Sequence, residues 1–328
     1  MNLRPPHNAT RILPADSKAI AEAAELLREG KLVSFPTETV YGLGANALDD
    51  FAVSRIFAAK ERPRFNPLIV HVLDKGEAEE LVLFNPLATK LAEAFWPGGL
   101  TLVLPRRDPS GLALLVSAGL DTAAVRAPAH NIARALLEAS GLPIAAPSAN
   151  RAGSVSPTTA KHVAEELAGR VDLILDGGPC PIGLESTVVG FHNEQPVLLR
   201  PGAIPREAIE KIVGPLGAPS DDLIEAPGMM TSHYAPHAKL RLNATDVRPD
   251  ESLLAFGAKV TPGAIATCNL SHKGDLTEAA ANLFAMLRTL DKSGASTIAV
   301  MPVPNTGLGE AINDRLARAA APRAITGP

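Results

Sequence analysis

The segment LVSFPTETVYGLGANALDDFAVSRIFAAK, residues 32–60, holds in order a short aliphatic run, a glycine-rich stretch and a helical pattern. Leu32 to Phe35 reads as a buried strand, and Val53, Ile56 and Phe57 recur at helical spacing after the acidic start at Asp49 and Asp50. The same alternation continues outward. Strand-like runs stand at 67–72, 100–105, 123–128, 143–147 and 172–176, and NIARALLEAS at 131–140 repeats the helical pattern. Strands alternating with helices are the signature of an α/β fold. Two further runs, 186–190 and 196–202, read as a hairpin closed by FHNEQ, and a helix follows at 205–213.

Residues 214–238 carry prolines and glycines without a sustained period and read as a linker, although Met229, Met230 and Tyr234 make it more apolar than a tether needs to be. The pattern then restarts, with strands at 253–257, 263–267 and 297–303, a helix from Asp275 to Leu290 and a last helix near 308–320. This predicts a larger α/β unit over 1–215, a linker or lid over 216–238 and a small open-sheet unit over 239–328.

Of the 328 residues, 46% are hydrophobic and 20% charged, which supports a packed core and excludes disorder or coiled coil for the whole chain. A net charge of −4 and 4% aromatics argue against holding a nucleic acid by bulk charge or by stacking many bases. Cys180 and Cys268 lie far apart with no CxxC spacing, so neither a zinc site nor a disulfide framework is expected. No stretch approaches the ~20 apolar residues a membrane span needs. The reading is a cytoplasmic protein with no membrane partner.

Three stretches concentrate chemistry. In PTETVYGLGANAL, Gly42, Gly44 and Ala47 match G-x-G-x-x-A, but six residues separate the glycines from the strand, so a glycine-rich turn is the plainer reading than a dinucleotide fingerprint. In KERPRFNPL at 60–68, Lys60, Arg62 and Arg64 crowd what reads as a short exposed turn and would repel one another unless an anion joined them. In APSANRAGSVSPTTAKHV at 146–163, Ser148 and Asn150 follow a strand, and Ser156 with Pro157 fits the N-cap and first position of the next helix, a place suited to anions. Arg126 lies in the apolar run AAVRAP, where burial demands an acid or a carboxylate ligand. His71, within LIVHV, reads on its own as a satisfied core residue.

Taken together, PTETVYGLG, the K-x-R of Lys60 and Arg62, the S-x-N of Ser148 and Asn150, and HYAP at 233–236 resemble the YrdC-like threonylcarbamoyl-AMP synthases in their long, two-domain form. The resemblance implies a twisted mixed sheet with helices, linked to a small Rossmann-like open-sheet domain. It implies synthesis of threonylcarbamoyl-AMP from L-threonine, bicarbonate or CO2, and ATP. Pyrophosphate is released, and separate proteins use the product to modify tRNA beside the anticodon. A carbamate of threonine approaches the α-phosphate in line, so cations and helix-start donors suit the step. Lys60 and Arg62 are the implied catalytic residues. Lys60, Arg64, Thr122, Ser148, Asn150, Ser156, Arg200 and Tyr234 are implied around ATP, and Thr37, His71, Arg126, the backbone at Ala146, and Ser186 around threonine. Magnesium is expected with the nucleotide, its ligands not legible. The C-terminal unit carries no motif of its own and is expected to act through the linker. Weak tRNA contact is an expected accompaniment of this reading; the alternatives are a non-catalytic binder of tRNA or double-stranded RNA and a hydride-transfer enzyme built on the glycines.

Overall fold

The structure, a computed structural model, describes residues 9–63, 65–219 and 233–322. The first part of the chain forms one mixed sheet from β1 (Arg11–Pro14), β2 (Val33–Phe35), β3 (Gly42–Asn46), β4 (Ile69–His71), β5 (Leu100–Pro105), β6 (Thr122–Arg126), β7 (Ile144–Ala145), β8 (Leu173–Asp176), β9 (Thr187–His192) and β10 (Gln195–Arg200). Their spatial order is β1-β8-β2-β3-β7-β4-β6-β5-β9-β10. Around it lie α1 (Ser17–Arg28), α2 (Asp50–Lys60), α3 (Lys75–Glu79), α4 (Pro86–Phe95), α5 (Asn131–Ser140), α6 (Ala160–Leu167) and α7 (Arg206–Val213). A second, all-parallel sheet follows, built from β11 (Lys239–Arg241), β12 (Glu251–Ala255), β13 (Thr267–Asn269) and β14 (Thr297–Val300) in the order β11-β14-β12-β13, with α8 (Leu276–Asp291) and α9 (Leu308–Ala320). The expected mixed α/β architecture with a smaller open sheet is therefore present.

Sequence and structure part company at informative places. Gly42 and Gly44 form no turn; they lie within β3, paired antiparallel to β2 and to β7. Alternation points Leu43 and Ala45 into the core shared with α2, while the opposite side of β3 is filled by the Phe35 ring. A Cβ at Gly44 would meet Phe35 Cε1 at 2.8 Å and Ile144 Cγ2 at 2.9 Å. These glycines thus serve close packing inside a strand, and a strand-to-helix dinucleotide turn is overturned. Gly44→Ala is expected to cost about 1–3 kcal/mol of overpacking, read as a lower denaturant midpoint at unchanged slope.

The FHNEQ hairpin is tighter than expected: β9 and β10 extend into it and leave Asn193 and Glu194, at φ of 48° and 66°, as the turn. Ser156 is not an N-cap. Thr159 holds that place, its side chain accepting from the His162 N–H. In the second unit, β13 starts at Thr267 where 263–267 was expected to be strand, and β11 had no counterpart in the reading.

The second unit is docked onto the first. Val40, Val155 and Leu184 belong to the same apolar core as Leu283, Phe284 and Ile312 of α8 and α9. Gly183 passes close to the α8 backbone; a Cβ there would lie 2.6 Å from Ala280 O. Arg288 bonds to Val155 O and Glu166, Arg206 pairs with Glu310 at 2.6 Å, and Lys292 pairs with Glu165 at 2.8 Å. Among the described residues no helix is long and apolar enough to cross a membrane.

Candidate active site

A cleft of about 420 Å³, counting space open to solvent, lies where the β2–β3 connection, the ends of β4 and β6, the segment after β7 and the start of β9 converge. Thr37, His71, Arg126, Ala146 and Ser186 line it. Ser148, Glu185 and Arg200 complete its polar wall. Thr122, at the opposite end of β6 from Arg126, is half-buried and does not line the cleft.

Arg126 is 3% exposed, a placement the apolar run AAVRAP only hinted at. Its Nη2 donates to Glu38 Oε1 at 2.5 Å, Nη1 to Thr39 Oγ1 at 2.9 Å and Nε to Gly98 O at 3.0 Å. The acid that Arg126 requires is therefore in the chain itself. Burial would raise the Glu38 carboxyl, but the Arg126 charge and the N–H groups of Ala129 and Glu38 hold it below the usual carboxylate range. The remaining guanidinium face is locked in orientation at the cleft wall. Glu38 stood in plain view between two threonines of PTETV and went unassigned.

Thr37 closes the loop before β3: its Oγ1 donates to Val40 O at 2.7 Å and accepts from the N–H groups of Thr39 and Val40. His71 is buried and its Nδ1 has no partner. Burial and the nearby Arg126 charge pull its pKa down to about 3, so the ring is neutral. The Ala146 N–H is spent on Ile69 O at 2.9 Å, which leaves its carbonyl as the polar group available to the cleft. Ser186 Oγ bonds to Thr101 Oγ1 at 2.7 Å and accepts from Arg200 Nη2 at 3.2 Å.

Two cations of the expected exposed turn are buried instead, although Glu61 and Phe65 beside them are exposed. Lys60 is 1% and Arg62 9% exposed, while Arg64 lies outside the described residues. Carbonyls explain the burial. Lys60 Nζ donates to Ser148 O and Asn150 O, and Arg62 turns back to Asn66 O at 3.2 Å and Pro67 O at 2.9 Å. Burial and the neighbouring Arg62 lower the Lys60 ammonium pKa well below its ordinary value, and burial brings Arg62 down to about 10. Lys60 thus ties α2 to the Ser148–Asn150 loop. Asn150 Nδ2 donates to Arg151 O and Ser154 O, and its buried Oδ1 has no partner.

Ser156, buried, donates to Glu185 Oε1 at 2.5 Å rather than capping a helix. Tyr234 is 1% exposed, with Phe284 stacked at a centroid distance of 5.8 Å and the Arg315 guanidinium 5.0 Å over its ring. The second unit was expected to act through the linker, and one of its own residues, Arg315 of α9, also reaches this cluster. Met229 and Met230 lie outside the described residues. Nothing in the local sequence marked Glu185 or Arg315, which are 130 residues apart and meet only in the tertiary structure.

No cluster of three or more His, Cys, Asp or Glu among the described residues could hold a metal ion. The carboxylates of Glu38 and Glu185 are already engaged by arginines. Among the described residues there is therefore no carboxylate and imidazole cage for magnesium.

Comparison with known proteins agrees with this architecture. Residues 25–202 match the Sua5/YciO/YrdC family model, described as "Telomere recombination", and residues 204–321 match "Threonylcarbamoyl-AMP synthase, C-terminal domain". The chain is 46% identical over 322 residues to a threonylcarbamoyl-AMP synthase of Pyrococcus abyssi, covering 92% of this chain and 94% of that protein. It is 43% identical over 338 residues to the protein of that name in Bacillus subtilis, covering 97% of each. Its fold superposes on the crystal structure of P. abyssi Sua5 complexed with L-threonine with a TM-score of 0.87 at 42% identity, covering 95% of this chain and 96% of the other. With both family models matched in order on one chain, this protein belongs to the Sua5/YrdC family of threonylcarbamoyl-AMP synthases, in the form that carries the Sua5 C-terminal domain.

Proposed function

We propose that the cleft binds L-threonine, bicarbonate or CO2, and ATP, and forms threonylcarbamoyl-AMP with release of pyrophosphate. The observation that carries this reading is the convergence of Thr37, His71, Arg126, Ala146 and Ser186, from five separate segments, on one cleft next to Ser148 and Arg200. The complex of P. abyssi Sua5 with L-threonine supports it. In this reading the pre-oriented Arg126 fork takes the threonine carboxylate. The neutral His71 ring and the Ala146 carbonyl face its polar groups, and Thr37 and Ser186 complete the pocket.

The threonine nitrogen takes up CO2 to give a carbamate. One carbamate oxygen forms the new bond to the α-phosphorus as the α–β bridging bond breaks and pyrophosphate leaves. Lys60, Arg62, Arg64 and Arg200 supply the cations for that charge, with Ser148 and Ser156 as nearby hydroxyls, while Thr122 stands apart at the far end of β6. The buried, unpartnered Asn150 Oδ1 calls for a donor, which a nucleotide would bring. Tyr234 would cover the nucleotide and keep water from a labile mixed anhydride. Magnesium would arrive on the ATP phosphates, and no step is assigned to it.

Lys60 gives this assignment a pH signature. Its pKa is depressed in the free protein, and phosphates placed beside it would raise it again. ATP binding is therefore expected to take up protons where, below the ordinary lysine range, the free protein has already lost this one, and to weaken as pH rises further. Calorimetric titrations in buffers of different ionisation enthalpy measure this; proton release would contradict it.

The larger unit is placed at 1–215, the linker at 216–238 and the smaller unit at 239–328. The setting is the cytoplasm, with the product passed to separate threonylcarbamoyl-transfer proteins acting on tRNA. Weak direct tRNA contact is part of this proposal and is measured by a salt titration of binding. The activity itself is tested by ATP–pyrophosphate exchange. Exchange that requires both threonine and bicarbonate is expected, and exchange indifferent to threonine would refute the reading.

A further inference from the structure

Glu185 poses a problem for a cleft that receives anions. It is 5% exposed and lines the wall beside Ser186 and Arg200, where a triphosphate and an amino-acid carboxylate are to be held. A bare carboxylate there would repel both. Its charge is answered from the other unit of the protein. Arg315, fully buried on α9, donates from Nε to Glu185 Oε2 at 2.8 Å. With Oε2 occupied, Oε1 receives the Ser156 hydroxyl at 2.5 Å.

The same guanidinium reaches two more parts of the cluster. Its Nη2 donates to Pro201 O at 3.0 Å, the carbonyl next along the chain from Arg200, and its plane covers the Tyr234 ring at 5.0 Å. Its Nη1 donates to Asp314 Oδ2 at 2.5 Å. Burial works against the charge on Arg315, but Tyr234, Glu185 and Asp314 together hold its pKa above the ordinary arginine value. Three other ion pairs between the units have a different character. None of the residues in Arg206–Glu310, Lys292–Glu165 and Arg288–Glu166 lines the cleft.

We propose that Arg315 is a positioning residue supplied by the second unit: by neutralising Glu185 and holding the Ser156, Pro201 and Tyr234 segments together, it makes the cleft's affinity for ATP depend on docking of that unit. The inference rests on the synthase reading above. Docking then has an electrostatic consequence in the site as well as an apolar one. When α9 withdraws, Glu185 is left facing the anion site, and ATP binding weakens.

The test compares the full-length wild type with Arg315→Gln, Arg315→Lys, Glu185→Gln and the double variant Glu185→Gln/Arg315→Gln. Separate KM values for ATP and threonine, kcat and thermal melts are measured. Arg315→Gln is expected to raise the ATP KM about 10-fold or more, with a smaller change for threonine, whereas Arg315→Lys keeps the ATP KM within about 3-fold because the charge remains. The double variant removes both charges and leaves Asp314 its Arg318 partner, so its ATP KM returns to within about 3-fold of wild type. A residue that only supported the fold would lower the melting temperature and the active fraction without moving the ATP KM, and neutralising Glu185 would restore nothing. A folded Arg315→Gln variant with the wild-type ATP KM, or a folded double variant about 10-fold or more impaired, overturns the proposal. Should Arg315→Gln not fold, the double variant decides against wild type by the same limits. Wild-type protein without threonine-dependent exchange refutes the synthase reading; a difference confined to the variants bears on Arg315.

Discussion

Lys60→Ala is expected to lower turnover by about 100-fold or more, the scale on which loss of a preorganised charge contact acts. The structure adds a second consequence. Lys60 Nζ satisfies Ser148 O and Asn150 O, so the variant leaves two carbonyls of the loop beside the cleft without their donor. A stability loss of about 1–3 kcal/mol should accompany the lost activity. Exchange assays paired with urea unfolding separate the two effects, since a drop of that size leaves most of a typical domain folded at 25 °C. A folded variant that still forms the adenylate at near wild-type rate would remove Lys60 from the chemistry.

Arg126→Lys is expected to weaken threonine binding by about 30-fold or more while changing ATP affinity little, because one ammonium cannot reproduce a guanidinium fork held at three points. The ammonium can still pair with Glu38, so the buried acid is not abandoned. Arg126→Ala is a harsher change. It strands Glu38 in a 7% exposed position and is expected to cost about 3–5 kcal/mol as the uncompensated charge of a broken buried pair. The conservative variant therefore reports recognition, and the alanine variant reports stability. Calorimetric titration with threonine is the measurement, and undiminished binding to Arg126→Lys would end the carboxylate assignment.

Local pattern carried the fold a long way. Helix 131–140 and the strand at 100–105 fall where periodicity places them, and the helix expected from Asp275 to Leu290 is α8, with Asp275 as its cap. What failed was information stored in contacts. Gly42 and Gly44 resembled a turn because glycine usually marks one; here the Phe35 ring, packed from the neighbouring strand, is what excludes a side chain. Ser156 and Pro157 carried the correct chemistry for a helix start, but Thr159 three residues later took that role and left Ser156 to Glu185.

The cationic run at 60–64 illustrates the same limit. Charge density argued for exposure, and only the carbonyls of distant loops make burial of Lys60 affordable. Arg126 was legible as a residue in need of an acid, yet the acid lies 88 positions away. Glu185 and Arg315 were invisible for that reason too, since each looks ordinary until the second unit docks. Motif order identified the segments that build the cleft; the ion pairs that tune it belong to the tertiary structure.

The central claim is that this cleft joins three substrates into one adenylate. Mass spectrometry of the products from ATP, bicarbonate and L-threonine, with each omitted in turn, tests it most directly. A threonylcarbamoyl-adenylate is expected to appear with pyrophosphate only when all three are present, and to fall about 100-fold or more in the Lys60→Ala variant. AMP and pyrophosphate formed regardless of threonine, with no such adenylate, would contradict it.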